Sequence, residues 1–199
     1  MEGTKFIIAI GASSGGIEAL SEFFDHTLPD GVSYVVTTHL SPEYKSHLTS
    51  IIQWRSKLEV CTVENDMKIE SNIVYVMPEN KTMTFKDGYL LLTPRDLSIK
   101  LNKAIDIFFK SLADDTIFSK IAIILSGMGR DGTEGIKALS ANGAYIIAQS
   151  VSSASQAGMP DSVINSGFVN EILEPKEMPA AIIAYVLTTS SRIRSGMIL

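Results

Sequence analysis

The sequence predicts an α/β fold, with a mainly parallel, doubly wound sheet covered by helices on both faces. Three observations point there. Short apolar runs at 6–10, 34–38, 121–125 and 144–148 alternate with stretches of helical period. The first and third runs are apolar throughout, as expected of strands buried on both faces. Two of the runs pass directly into glycine-rich segments that open a helix. The implied arrangement is three-layered and Rossmann-like, and ligands in such sheets bind beyond the carboxyl ends of the strands, at a switch in strand order.

Taken in order, Phe6, Ile7, Ile8, Ala9 and Ile10 form the first strand, and Gly11, Ala12, Ser13, Ser14, Gly15 and Gly16 the turn after it. Ile17, Leu20, Phe23 and Phe24 share one face of the next helix. A turn at Pro29, Asp30 and Gly31 leads to the strand 34–38, with His39 at its carboxyl end. Ser41 and Pro42 read as N-cap and first helical residue of a helix carrying Leu48, Ile51 and Ile52 to about Trp54. Residues 58–94 read as short strands, including a hairpin around Asp87-Gly88, added at one edge of the main sheet. Ile105, Phe108, Phe109 and Leu112 restore the helical period. After the strand 121–125 comes a helix with Ile136 and Leu139, closed by Asn142-Gly143. The strand 144–148, a serine-rich loop at 150–155, a short helix from Met159-Pro160 and a last helix to about Leu187 complete the chain. Residues 1–187 are expected to form one domain, and 188–199 a tail or linker.

Composition narrows the function. The 199 residues are 45% hydrophobic and carry a net charge of −5, which argues against an electrostatic nucleic-acid binder. The single cysteine, Cys61, excludes an internal disulfide framework. His26, His39 and His47 offer no zinc-type spacing, so neither metal nor cofactor is expected. No apolar stretch reaches the roughly 18 residues of a membrane span. The N-terminal run faintly mimics a signal peptide but is too short and enters a glycine motif. A cytoplasmic protein without membrane insertion is the expectation.

Gly11-Ala12-Ser13-Ser14-Gly15 matches G-x-S-x-G between strand and helix. Such a turn exposes a serine hydroxyl, and the helix N-terminus behind it offers N–H groups to a developing oxyanion. The bland alternative is a glycine-rich turn that binds phosphate or packs strand on helix. A serine nucleophile needs a base, and His39 stands where a neighbouring parallel strand would bring it beside Ser13. An acid should hold the other ring nitrogen, and Asp131, just past the strand 121–125, is the candidate. Asp106 and Asp161 compete with it, and Asp131 also reads as an ordinary turn residue. On either view Asp131→Asn is expected to fold normally. The segment Gly127-x-Gly129-x-x-Gly132 also matches a dinucleotide fingerprint, but no acid follows at the spacing the ribose requires. The order Ser13, His39, Asp131 differs from the Ser-Asp-His order of α/β-hydrolases.

The chain resembles the chemotaxis protein-glutamate methylesterases, the CheB catalytic domain. The resemblance rests on 8–16, on Thr38-His39-Leu40-Ser41-Pro42, on Val74-Tyr75-Val76-Met77-Pro78, on 123–132, on Ala148-Gln149 and on Gly158-Met159-Pro160. It covers about 5–187. It implies Ser13 as nucleophile, His39 as general base and Asp131 as orienting acid. It also implies the Met128 N–H as oxyanion donor, and Ser14, where the family often has threonine, as a residue that positions the histidine. The implied reaction is hydrolysis of glutamate γ-methyl esters on cytoplasmic helices of chemoreceptors, or on another methylated signalling protein, together with deamidation of receptor glutamines. Leu40-Ser41-Pro42, Asp106-Ile107-Phe108-Phe109 and Glu177-Met178-Pro179 look closer to the methylesterase segments of methylesterase–methyltransferase hybrids. A fused methyltransferase domain is therefore an expected partner. Lys100-Leu101-Asn102-Lys103 departs from the arginine- or histidine-proline segment of many relatives. A nucleotide-binding domain and a catalytically silent receptor-docking module are the other readings.

Overall fold

The structure, a computed structural model, describes residues 5–39, 42–96, 98 and 101–195, without the side chains of 42–46 and 194. Seven strands form the main sheet. In chain order they are β1 (Phe6–Ala12), β2 (Val32–Thr38), β3 (Glu59–Thr62), β5 (Ile73–Val76), β8 (Ser119–Ile124), β9 (Tyr145–Gln149) and β10 (Glu171–Leu173). Their spatial order is β10-β9-β8-β1-β2-β5-β3, and every pairing is parallel. A separate antiparallel sheet, ordered β4-β7-β6, holds β4 (Met67–Lys68), β6 (Lys81–Lys86) and β7 (Tyr89–Pro94). The helices are α1 (Gly16–Phe24), α2 (Pro42–Arg55), α3 (Ala104–Ala113), α4 (Thr133–Ala141), α5 (Gly158–Asn165) and α6 (Met178–Arg194).

β1 shows why the sheet is covered on both faces. Phe6, Ile8 and Ile10 join a core built with Leu20 and Phe23 of α1, Leu48 and Ile52 of α2, and Met178 and Ile182 of α6. Ile7 and Ala9, one residue out of phase, join a second core with Phe108 and Phe109 of α3, Ile136 of α4, Met159 of α5 and Met83, Phe85 and Leu90 of the small sheet. A strand feeding two cores must be apolar at every position, and each fully buried Ile or Phe contributes about 1.5–3 kcal/mol. The β1 side chains Ile7, Ile8 and Ile10 have no exposed surface.

The region 58–94 departs from the expected edge addition. Its strands divide between two sheets. β3 and β5 extend the parallel sheet, whereas β6 and β7 close a hairpin that folds back over α3. The cause is visible in the burial. Met83, Phe85 and Leu90 turn inward against α3, and Phe85 N–H donates to Ser111 Oγ at 2.9 Å. The turn itself matches expectation, since Asp87 and Gly88 both have positive φ, 51° and 85°, as a two-residue primed turn requires. β10 has no strong sequence signal, being three partly exposed residues held by β9. α6 runs to Arg194 rather than ending near Leu187, with Leu187 exposed. Ser41 as a cap, Lys100, and residues 196–199 lie outside the described residues.

Candidate active site

The strand order places the site. From β1 the chain moves to β2 on one side, while β8 lies on the other. The loops leaving β1 and β8 therefore diverge at a switch point, the usual position of a binding crevice in such sheets. The β1–β2 register ends with Ala12 opposite Thr38, so Ser13 and His39 are the next residues on neighbouring parallel strands. His39 N–H donates to the Ala12 carbonyl at 3.3 Å, which carries the ladder one step further.

Ser13 is held from both sides of its turn. Its N–H donates to the Ser126 carbonyl at 2.9 Å, and its own carbonyl accepts Gly16 N–H at 2.8 Å. Gly15 follows at φ 74°, and a Cβ there would lie 2.6 Å from Ser126 Oγ, so the turn needs glycine for both conformation and space. Ser126 is fully buried; its Oγ donates to the Ser14 carbonyl at 2.8 Å and accepts Gln156 N–H at 3.0 Å. Its N–H donates to Gln149 Oε1 at 2.7 Å, and Gln149 Nε2 donates to the Ser153 carbonyl at 3.1 Å. Ser126 and Gln149 thus tie the β1, β8 and β9 loops together. Sequence reading missed this clamp. Its available signal was two polar residues at the ends of buried strands.

Asp131 and His39 meet. Nε2 of His39 lies 2.6 Å from Asp131 Oδ2, with the two side chains 13% and 7% exposed. The two atoms are in close contact, although the Nε2–H is not well aimed at the carboxylate. Hydrogen-bond logic places the proton on Nε2 and leaves Nδ1 as the lone pair available on the other side of the ring. The Asp131 carboxylate also accepts three backbone N–H groups, Ile105 on Oδ2 at 2.9 Å and Asp106 and Gly132 on Oδ1 at 3.0 Å. Burial acts to raise its pKa, but the pairing with His39 and the N–H groups of Asp106 and Ile105 outweigh burial and hold the carboxyl below its ordinary value. Asp131 is therefore built to stay an anion.

Of the two competing acids, Asp106 lies beside Asp131 and Asp161 lies on α5. Asp106 Oδ1 accepts Gly135 N–H at 2.8 Å, and Asp161 sits in the first turn of α5. Ser14 is exposed, and its hydroxyl makes no hydrogen bond among the described residues. Met128 is 60% exposed, and no backbone hydrogen bond among the described residues uses its N–H. Met128 follows Gly127, where an added Cβ would lie 2.9 Å from Ser13 Cβ. The N-terminus of α4, which a dinucleotide would need, is already taken. Asp131 holds Gly132 N–H and Asp106 holds Gly135 N–H, so two carboxyl groups stand where a pyrophosphate would bind. Cavities of about 260 and 440 Å3 lie elsewhere, lined in part by His26 and Arg55 and by Lys68 and Glu70, and touch none of Ser13, His39 and Asp131. The site is recognised by its chemistry and not by volume. No group of metal-binding side chains occurs among the described residues.

Fold and site together define a three-layer α/β protein in which the Ser13 turn, His39 and Asp131 lie at the carboxyl edge of a parallel sheet. Residues 8–182 match the model of the CheB methylesterase family, and the chain belongs to that family. It is 35% identical over 92% of its length to a protein-glutamate methylesterase/protein-glutamine glutaminase of Bacillus licheniformis, covering 53% of that protein. A protein of the same description from Desulfotalea psychrophila is 30% identical over 86% of the chain and 49% of its own length. The chain thus spans about half the length of these curated relatives. The crystal structure of the Thermotoga maritima CheB methylesterase catalytic domain superposes with a TM-score of 0.81 at 27% identity, covering 93% of this chain and all of that one.

Proposed function

We propose that the chain is a serine esterase that hydrolyses glutamate γ-methyl esters on chemoreceptor proteins to glutamate and methanol, and deamidates receptor glutamines. One observation carries the reading. His39 follows the residue paired with Ala12 and touches Asp131 at 2.6 Å, while Ser13 follows Ala12. In this mechanism Ser13 Oγ attacks the ester carbonyl and gives its proton to Nδ1 of His39. Asp131 steadies the resulting imidazolium through Nε2. The tetrahedral oxyanion accepts the free N–H of Met128, with Ser14 beside it at the mouth of the turn. Collapse returns the proton from His39 to the departing methoxide, releasing methanol. Water, deprotonated by the same ring, then cleaves the glutamyl–Ser13 ester and frees the glutamate. No metal or cofactor has a step in this sequence.

The substrate in this reading is a methylated cytoplasmic helix of a receptor, which places the reaction in the cytoplasm. No helix among the described residues is long and apolar enough to cross a membrane. Residues 1–187 hold the catalytic domain, and α6 carries the chain on through Arg194 toward a methyltransferase domain if the chain works as part of a hybrid. The test is methanol release from methylated receptor membranes. Ser13→Ala fits the same turn, so its melting temperature should match the parent, while the rate falls on the order of 10⁴-fold or more. A folded Ser13→Ala chain with near-parental release would remove Ser13 from the mechanism.

A further inference from the structure

α3 and α4 cap each other through two aspartates. The N-cap position of α3 is Lys103, whose side chain makes no capping bond. Asp131, which precedes α4, supplies the cap instead by accepting Ile105 N–H and Asp106 N–H at 2.9 and 3.0 Å. The N-cap position of α4 is Gly132, which has no side chain to offer. Asp106, in the first turn of α3, supplies that cap by accepting Gly135 N–H at 2.8 Å. Each aspartate thus stands at the start of one helix, Asp106 in the first turn of α3 and Asp131 just before α4, and satisfies the other helix. One of the two is the residue that meets His39.

We propose that Asp106 is a positioning residue: by capping α4 from within α3 it locks the helix pair that clamps the Asp131 carboxylate, and through it the orientation of the His39 ring. Asp106 is only 8% exposed, and a buried carboxyl is an expensive way to bond one N–H unless its placement matters. Gly135 also leaves room only for a close approach, since a Cβ there would run into Phe109 Cβ. The Gly135 backbone therefore packs directly on the Phe109 side chain at the crossing, and a small slip of α4 would move Asp131 relative to Ile105. The charged groups acting on the pair are His39 on the β2 side and Lys110 one turn along α3, while Arg130 and Lys137 act on Glu134 near the start of α4. Burial, then the neighbouring Asp131, pushes the Asp106 carboxyl above its ordinary value, which fits a group placed for geometry and not for charge.

The kinetic part of the test rests on the esterase reading; the spectroscopic part does not. Asp106→Ala, Asp106→Asn and Asp106→Glu are made in the whole chain, with nitrogen-15 shifts of the His39 ring read alongside kcat and KM. The parent should show a single tautomer with the proton on Nε2. Asp106→Ala should fold cooperatively, average the two ring signals, and lower kcat on the order of tenfold or more with KM within about twofold. Asp106→Asn keeps an oxygen for Gly135 N–H and should restore both readouts. Asp106→Glu keeps the charge but moves the oxygen by one methylene, so it should stay impaired, and it stands in for Asp106→Ala should that chain not fold. Parental ring signals in Asp106→Glu or in folded Asp106→Ala would overturn the proposal, as would an Asp106→Asn chain as impaired as Asp106→Ala. If the parent itself hydrolyses no ester, the ring signals alone decide, and the esterase reading fails separately.

Discussion

Replacing Asp131 by asparagine separates what the turn needs from what the site needs. Both carboxylate oxygens are engaged. Oδ1 takes Asp106 and Gly132 N–H, and Oδ2 takes Ile105 N–H and faces His39 Nε2 at 2.6 Å. An amide has an oxygen on one side only. With that oxygen at Oδ1, the new NH₂ meets the Ile105 N–H and the imidazole N–H. Turned round, it meets the N–H groups of Asp106 and Gly132. In either pose at least one buried donor loses its acceptor, at about 1–3 kcal/mol for each orphan. A domain of this size shifts its melting temperature by about 2–4 °C per kcal/mol, so a loss of roughly 2–12 °C is expected. The imidazole can escape the clash by moving its proton to Nδ1, which on the proposed esterase reading removes the lone pair that activates Ser13. The equivalent substitution in a serine hydrolase lowered turnover about 10⁴-fold. Thermal unfolding and methanol release across pH 6–9 measure the two effects. As a turn residue alone, Asn would be silent in both. A melting point within about a degree of the parent, with a rate within a few-fold, would show that the carboxylate clamp is not what the geometry says.

Two further outcomes follow from the same contacts. Gly127→Ala drives a methyl group into buried Met159 and to 2.9 Å from Ser13 Cβ, so it should cost about 1–3 kcal/mol by overpacking and, on the proposed esterase reading, about a hundredfold in rate by displacing Ser13; an unchanged rate would refute that Ser13 must be held where it is. The two aspartates should pull acid stability in opposite directions. The carboxyl of Asp131 is depressed in the fold, so its contribution is present above the unfolded value near 3.8 and is lost as pH falls through the lower folded value. The Asp106 carboxyl is raised, so folding favours its protonated form and its contribution is lost as pH rises from 3.8 through the higher folded value. Urea unfolding against pH should therefore show a smaller acid-side decline in Asp131→Asn and a smaller decline above pH 3.8 in Asp106→Asn, and identical profiles for parent and variants would refute both assignments.

The sequence by itself determined the layered architecture, because a strand feeding two cores cannot hide its composition. Phe6 to Ala12 is buried at every position, and such a run, followed by a glycine turn and a helical period, has few other folds open to it. It also placed Ser13, His39 and the loop of Asp131 at strand ends, since G-x-S-x-G and the polar residues after apolar runs are local signals. Pairing across the fold was not legible. Nothing local distinguishes Glu59–Thr62, which joins the parallel sheet, from Lys81–Lys86, which leaves it; the choice was made by Met83, Phe85 and Leu90 packing on α3. The same holds for the acids. Asp106, Asp131 and Asp161 each stand near a helix start, and their spacing does not say which one reaches a histidine 67, 92 or 122 positions away. That was decided when α3 crossed α4 and each helix lent the other its cap. An orphan N–H at a helix terminus takes whichever acceptor the packing brings to it, and packing is a property of the whole chain.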